Sequence, residues 1–416
     1  MWRTPRSPWC TTPRTAARFR PPSIIEPVTD LETPLATPPG ASAPRRAAPA
    51  LLGYAAVRAL GVLTLALWSA ANGKSAHKLL TARWDSLWYT RVADLGYGYE
   101  VRLPNGDVHS NLAFFPLLPW LERLVSALTP LSYADAGLLV STLASLAAAW
   151  GIFAVADHVY GPRVGVCAVL VWAVLPVGVV QSMAYSESLF TALAAWSLYA
   201  VLTGRWVTAG LLAAFAGLTR PVGVAVVAAL WVAAIASFVR DRSAHPAHGA
   251  PVLRRALGML LAPLGAAGYV FWVGHRTGKG PLGYLDVQAG WRNGFDGGYA
   301  FARFVGDKFT SFPSALAGVG LIVAVALILW LYVTCVRQGQ PTALLVYAGI
   351  VIALALCASS YFGSKPRLLL PAFPLLLPLA LALARLRMSR SALILGGVAM
   401  ASALYGAFWL NGSGPP

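Results

Sequence analysis

The chain of 416 residues is 57% hydrophobic and only 11% charged, with a mean hydropathy of +0.64, which excludes an ordinary soluble domain. Its formal net charge of +17 does not call for nucleic acid as a partner, because positive-inside loops and a basic tail facing anionic lipid account for it. The four cysteines lack C-x-x-C spacing and supply neither a disulfide framework nor a zinc site.

Residues 1–49 are rich in Pro, Ala, Thr and Arg without hydrophobic periodicity, so a disordered cytoplasmic tail is expected there. Residues 50–416 form the second unit, an all-α polytopic membrane domain. A span needs about 20 apolar residues, and eleven transmembrane segments are read at 51–71, 136–156, 164–184, 188–203, 206–219, 221–239, 256–275, 313–336, 341–361, 366–384 and 391–410. With the N-terminus inside, the inner loops hold 17 basic and 5 acidic residues, and the outer side holds 14 and 10 when Arg367 is counted at its span mouth. Short cytoplasmic loops carry the excess of Lys and Arg, so this asymmetry sets a cytoplasmic N-terminus in a multi-pass protein of the cell membrane. Two outer loops, 72–135 and 276–312, are much longer than the others. Single-cysteine labelling in a Cys-free background is therefore expected to place positions 105 and 290 outside and 247 inside. Labelling of 105 and 247 from one side would overturn this orientation.

The first long loop opens with the sequence "ARWDSLWYTRVADLGYGYE". Trp84, Leu87, Trp88, Val92 and Leu95 follow helical spacing and make one apolar stripe, the pattern of a helix lying at the interface. Asp85 and Tyr89 sit at one edge of the stripe, and Asp94 falls on the opposite face. A second interfacial element is expected over 111–128, where Pro116 and Pro119 disfavour a straight span.

Asp85 has two readings: a helix cap that balances Arg83 or Arg91, or a general base between membrane and water. In "AYSESLF", Glu187 lies between two apolar spans, as a turn in water or as a functional acid at membrane depth. Arg220 occupies a turn in "GLTRPVG". Tyr361, Lys365 and Arg367 gather at the outer mouth of a span, either snorkelling or offering charge-assisted hydrogen bonds to a phosphate-bearing lipid. There is no HExxH, no P-loop and no D-x-D, and the six histidines are scattered; no metal and no cofactor are expected. A transporter or lipid-linked sugar flippase is the rival class, which predicts charges deep within spans and a two-fold repeat. Only Arg58 lies inside a span, and the chain carries no evident repeat.

"RWDSLWYTRVADLGY", "AFFPLLPWL", "AYSESLF", "TRPVG" and "KPRLLLPAFPL", in that order, resemble the recurring segments of the PIG-V type mannosyltransferases, which have the GT-C glycosyltransferase fold. The resemblance spans about residues 51–384. It implies a membrane enzyme with a large first extracytoplasmic loop, a polyprenyl-phosphate-mannose donor and an acidic residue near the reaction centre. By motif, that acid corresponds to Asp85, the Y-S-E pattern to Tyr185, Ser186 and Glu187, and the basic residue before L-L-P-A-F-P to Arg367. Lys365 and Arg220 are added on chemistry alone, and Trp84, Trp88 and Tyr89 would border the substrates. The implied reaction is inverting transfer of mannose to a hydroxyl of a glycolipid or glycan on the outer face, with Asp85 as base. A GT-C enzyme using another sugar or a protein acceptor is the related alternative.

Overall fold

A computed structural model describes residues 43–244, 249–412 and 414. Positions 1–42 of the expected tail, His245 and His248 lie outside the described residues. The elements in chain order are α1 (Ala43–Ala71), α2 (Ala76–Thr81), α3 (Asp85–Leu95), β1 (Glu100–Arg102), β2 (Val108–Ser110), α4 (Leu117–Leu128), α5 (Tyr133–Tyr160), α6 (Pro162–Ala173), α7 (Ser186–Leu202), α8 (Trp206–Gly217) and α9 (Val224–Ala244). They continue as α10 (Gly249–Leu261), α11 (Leu264–Thr277), α12 (Gly283–Gly290), β3 (Gly294–Phe295), α13 (Tyr299–Gly306), α14 (Phe312–Arg337), α15 (Thr342–Cys357), β4 (Ala358–Ser359), α16 (Lys365–Leu368), α17 (Leu377–Arg385) and α18 (Met388–Asn411).

Each of the eleven apolar segments coincides with helix, but the segments are not alike. Among the described residues, six helical stretches, one of them α10 and α11 together (Val252–Thr277), are long and apolar enough to cross a bilayer, and up to eight spans result if each of two bent pairs counts as one. Three shorter apolar helices, Ser186–Leu202, Trp206–Gly217 and Thr342–Cys357, complete the set. The first helix begins at Ala43, so the last residues assigned to the tail are helical.

The expected straight spans at 164–184 and 366–384 are both broken, bent by 89° and 77°. Proline is the cause: Pro176 opens the 3-10 segment Pro176–Ser182, and Pro371 and Pro374 interrupt the second pair, removing N–H donors from the helical ladder. Carbonyls freed in this way need partners in a dry environment. Arg58, projecting from α1, donates to the carbonyls of Ala173 and Gly178 at the first bend. Ser402 Oγ donates to the Leu175 carbonyl at 2.7 Å and Gln181 Nε2 to that of Trp172 at 2.9 Å. One bond joins the two bends directly, Trp172 Nε1 donating to the Leu370 carbonyl at 3.0 Å, and the Tyr347 hydroxyl of α15 donates to the Pro371 carbonyl at 3.0 Å. Arg58 is thus a polar cap for a broken helix, which accounts for a cation inside a span without invoking a transport pathway.

The buried centre is built from α5, α6, α7, α9 and α15, with Trp172, Tyr185, Phe190, Tyr347 and Phe373 fully enclosed. By contrast, only 6% of the apolar window of α14 is buried within the protein, leaving its leucines and valines to lipid. Close helix contacts use glycine, as expected where no hydrophobic force separates side chains from lipid. A methyl group at Gly265 on α11 would overlap the Ala214 carbonyl on α8, whereas one at Gly268, a turn along the same helix, meets nothing within 4 Å. Overpacking typically costs about 1–3 kcal/mol. Gly265→Ala is therefore expected to lower the melting temperature of the detergent-solubilised protein and Gly268→Ala to leave it unchanged. Equal melting temperatures for the two would refute the close α8–α11 contact.

The two long loops meet on one face. Arg292 of the second loop pairs with Asp107 of the first at 2.6 Å, and Trp291 donates to the Ser110 carbonyl at 3.0 Å. Residues Gly294 and Phe295 pair antiparallel with Ser359 and Ala358, drawing in the mouth of the second bent pair. The interfacial helices form as expected, but the buried face of α3 differs from its apolar stripe. Ser86, Tyr89, Val92 and Ala93 are buried, while Leu87 and Leu95 are 40% and 69% exposed. The leucines therefore face the surroundings, and a tyrosine and a serine face the protein. Asp94 is exposed on the far side. On α4, Glu122 is buried although its charge predicts a solvated position: its carboxyl lies against Gly137 of α5, and burial raises its pKa well above the usual carboxylate range.

Candidate active site

Beneath the layer formed by the two long loops, residues from four separate stretches form one chain of alternating charges. Arg367 Nη1 lies 2.8 Å from Asp85 Oδ2, and its Nε lies 3.3 Å from Glu187 Oε1. The same oxygen of Glu187 is 2.7 Å from Arg220 Nη1. Arg220 also donates to Ser186 Oγ at 3.0 Å, and that hydroxyl is 2.7 Å from the Tyr89 hydroxyl. The Arg367 guanidinium sits over the Tyr185 ring, 5.1 Å from its centroid. Burial pushes the Tyr89 phenol above its usual pKa against the pull of Arg220, so it acts as a neutral hydroxyl.

Local sequence explains each position. Asp85 is the first residue of α3, Ser186 and Glu187 open α7, Arg220 precedes the Pro221–Gly223 turn, and Arg367 sits on the single-turn α16. Helix ends and breaks are where polar side chains can reach a common point without crossing apolar packing. Exposure grades the cluster: the Glu187 side chain is 1% exposed and that of Asp85 is 26% exposed. Glu187 is therefore not a turn in water. It is a buried anion held by two guanidiniums, and Asp85 is the carboxylate a substrate can reach.

Neither cap nor local balance describes Asp85. It makes no side-chain cap to its helix, whose N-cap is Trp84. Arg83 instead covers the Trp84 ring at 4.0 Å and donates to the Gly412 carbonyl at 2.9 Å, while Arg91 lies over the Tyr99 ring at 4.7 Å. Trp84 has φ +50°, an uncommon conformation for a bulky residue. Such outliers cost about 1–3 kcal/mol and cluster at functional sites. Trp88 packs between the loops, stacked on Phe114 at 5.6 Å and edge-on to Trp291 at 4.8 Å. It forms the wall beside Tyr89.

Lys365 departs from its expected place. Among the described residues, the ion-pair chain does not include it. Its ammonium donates to the Ala355 and Ala358 carbonyls at 2.7 and 2.9 Å, between the rings of Phe301 and Phe362. The end of α15 leaves those carbonyls without helical partners, and the lysine satisfies them. Ser186, which the motif contained without a role, joins Tyr89 to Arg220. Among the described residues, no three His, Cys, Asp or Glu side chains are grouped to hold a metal ion.

Residues 111–263 match the profile of the family described as dolichyl-phosphate-mannose-protein mannosyltransferase, a little over a third of the chain. No curated protein matches in sequence. Among solved structures, the chain is similar to ArnT from Cupriavidus metallidurans bound to undecaprenyl phosphate, with a TM-score of 0.50 and 17% identity over 83% of this chain and 62% of that one. It is also similar to the oligosaccharyltransferase AglB from Archaeoglobus fulgidus in complex with an inhibitory peptide and a dolichol-phosphate, with a TM-score of 0.45 and 12% identity over 87% of this chain and 56% of that one. The protein is a multi-span membrane protein with the GT-C glycosyltransferase fold. It spans about three fifths of the length of the ArnT chain.

Proposed function

We propose that this chain is a mannosyltransferase of the PIG-V kind. It would move mannose from a polyprenyl-phosphate donor to a hydroxyl of a glycolipid or glycan on the outer face of the cell membrane. The observation that carries this reading is the reachable carboxylate of Asp85 beside two largely buried arginines, at the junction of the interfacial helices and the broken spans. That arrangement supplies a base on one side and anion binding on the other.

In the reaction, the acceptor oxygen attacks the anomeric carbon as its proton passes to the Asp85 carboxylate. The bond from that carbon to the phosphate oxygen breaks, and polyprenyl phosphate leaves with the electron pair. Attack opposite the leaving group inverts the anomeric centre. Arg367 and Arg220 face the developing negative charge, and donors preorganised toward such charge usually make the largest contribution to catalysis. Glu187 keeps the two guanidiniums together, and Tyr89 and Ser186 fix Arg220. Lys365 acts at one remove, holding the end of α15 next to α16.

A second reading, transfer to a protein hydroxyl, is favoured by the family profile over residues 111–263. Both are tested by supplying radiolabelled polyprenyl-phosphate mannose to membranes from a strain lacking the gene. A labelled glycolipid or glycan present in wild type and absent from the deletion supports the first reading, and a missing labelled protein supports the second. Identical labelling of all products would refute mannosyl transfer.

A further inference from the structure

We propose that the donor phosphate competes with Asp85 for Arg367, so that donor binding releases the base. This rests on the reading of the donor as a polyprenyl phosphate sugar. Asp85, Arg367, Glu187 and Arg220 form a row of two anions and two cations. Arg367 has one nitrogen on each carboxylate. A phosphate is bound best by a guanidinium fork that presents two N–H groups together, and one carboxylate must yield to offer it.

The two carboxylates are not equally able to yield. Glu187 is 1% exposed and shared between two arginines at the start of a packed helix; withdrawing it would leave a buried charge without its partner. Asp85 is 26% exposed and, among the described residues, has a single cationic partner. It starts a short interfacial helix whose preceding residue, Trp84, is held at φ +50°, so a local backbone change can relax strain as the carboxylate swings away. While Asp85 Oδ2 is engaged by the Arg367 guanidinium at 2.8 Å, that oxygen is occupied and not presented to an acceptor hydroxyl. When an incoming phosphate replaces it on Arg367, the charge on the arginine stays balanced and Asp85 faces the acceptor as a competent base. The exchange makes the reaction ordered: without donor, the base is held by its own site.

The distinguishing result is a gain in binding by a variant that has lost turnover. Full-length protein in nanodiscs is titrated with undecaprenyl phosphate as wild type, Asp85→Asn, Asp85→Ala and Asp94→Asn. Charge pairs this close commonly couple strongly enough to change affinity by about tenfold or more. Asp85→Asn and Asp85→Ala are expected to bind undecaprenyl phosphate about tenfold tighter than wild type, Asp94→Asn to bind like wild type, and the gain to disappear when Arg367→Ala is added. Equal or weaker binding in both Asp85 variants, with wild type binding normally, overturns the competition and leaves the donor assignment standing. Absence of binding in every variant, wild type included, overturns the donor assignment and the competition with it.

Discussion

If Asp85 is the base of the proposed mannosyl transfer, Asp85→Asn is expected to lose about 10²- to 10⁴-fold in turnover, the usual contribution of a general base, in protein that is inserted and folded. The substitution keeps size and shape and removes the negative charge. The competing account is that Asp85 merely neutralises Arg367, its partner at 2.8 Å. Under that account the variant is less stable, and activity falls only in proportion to the folded fraction. Glu187 still faces the same arginine, so its charge is not abandoned and the fold should persist. Turnover normalised to folded protein separates the two, and near-wild-type normalised turnover would remove Asp85 from the chemistry. Asp94→Asn is the control, since Asp94 is exposed on the opposite side of the same helix. Equal losses in both variants would assign the effect to the helix rather than to its first residue.

Periodicity and hydropathy made the helices legible because an apolar run of sufficient length has few alternatives in a bilayer. They could not say what covers each apolar face. Leu87 and Leu95 belong to the stripe read as an interfacial face and are exposed, while Tyr89 and Ser86 face the protein. Lipid and protein core are equally apolar, so the pattern cannot tell them apart. The prolines at 176, 371 and 374 lie in segments whose hydropathy alone reads as straight spans, and the bends they permit depend on partners distant in sequence, such as Arg58 and Ser402. The same limit applies to the site. Glu187, Arg220 and Arg367 could be selected as polar residues at span ends and Asp85 as an acid on an interfacial helix, whereas their joining into one alternating chain is a long-range fact. Lys365 illustrates the converse: adjacent in sequence to the cluster's Arg367, it turns to two backbone carbonyls.

Arg367 is expected to be the residue least tolerant of replacement. It is 10% exposed and contacts two carboxylates through different nitrogens, Nη1 toward Asp85 and Nε toward Glu187. A lysine ammonium is a point charge without the planar fork that makes both contacts at once, so Arg367→Lys keeps the charge and loses the geometry. Arg367→Ala removes both and leaves Glu187 to Arg220 alone. Breaking a buried pair in this way costs about 3–5 kcal/mol of stability, and removing one donor to a developing anion costs roughly 10²- to 10³-fold in kcat. The expected order is therefore wild type, then Arg367→Lys with weakened donor use in a stable protein, then Arg367→Ala with losses in both stability and turnover. Melting temperature and steady-state kinetics with varied polyprenyl-phosphate mannose measure the two quantities on the same samples. Arg367→Lys matching wild type in donor dependence would show that charge alone suffices, and the fork would then have no part in holding the phosphate.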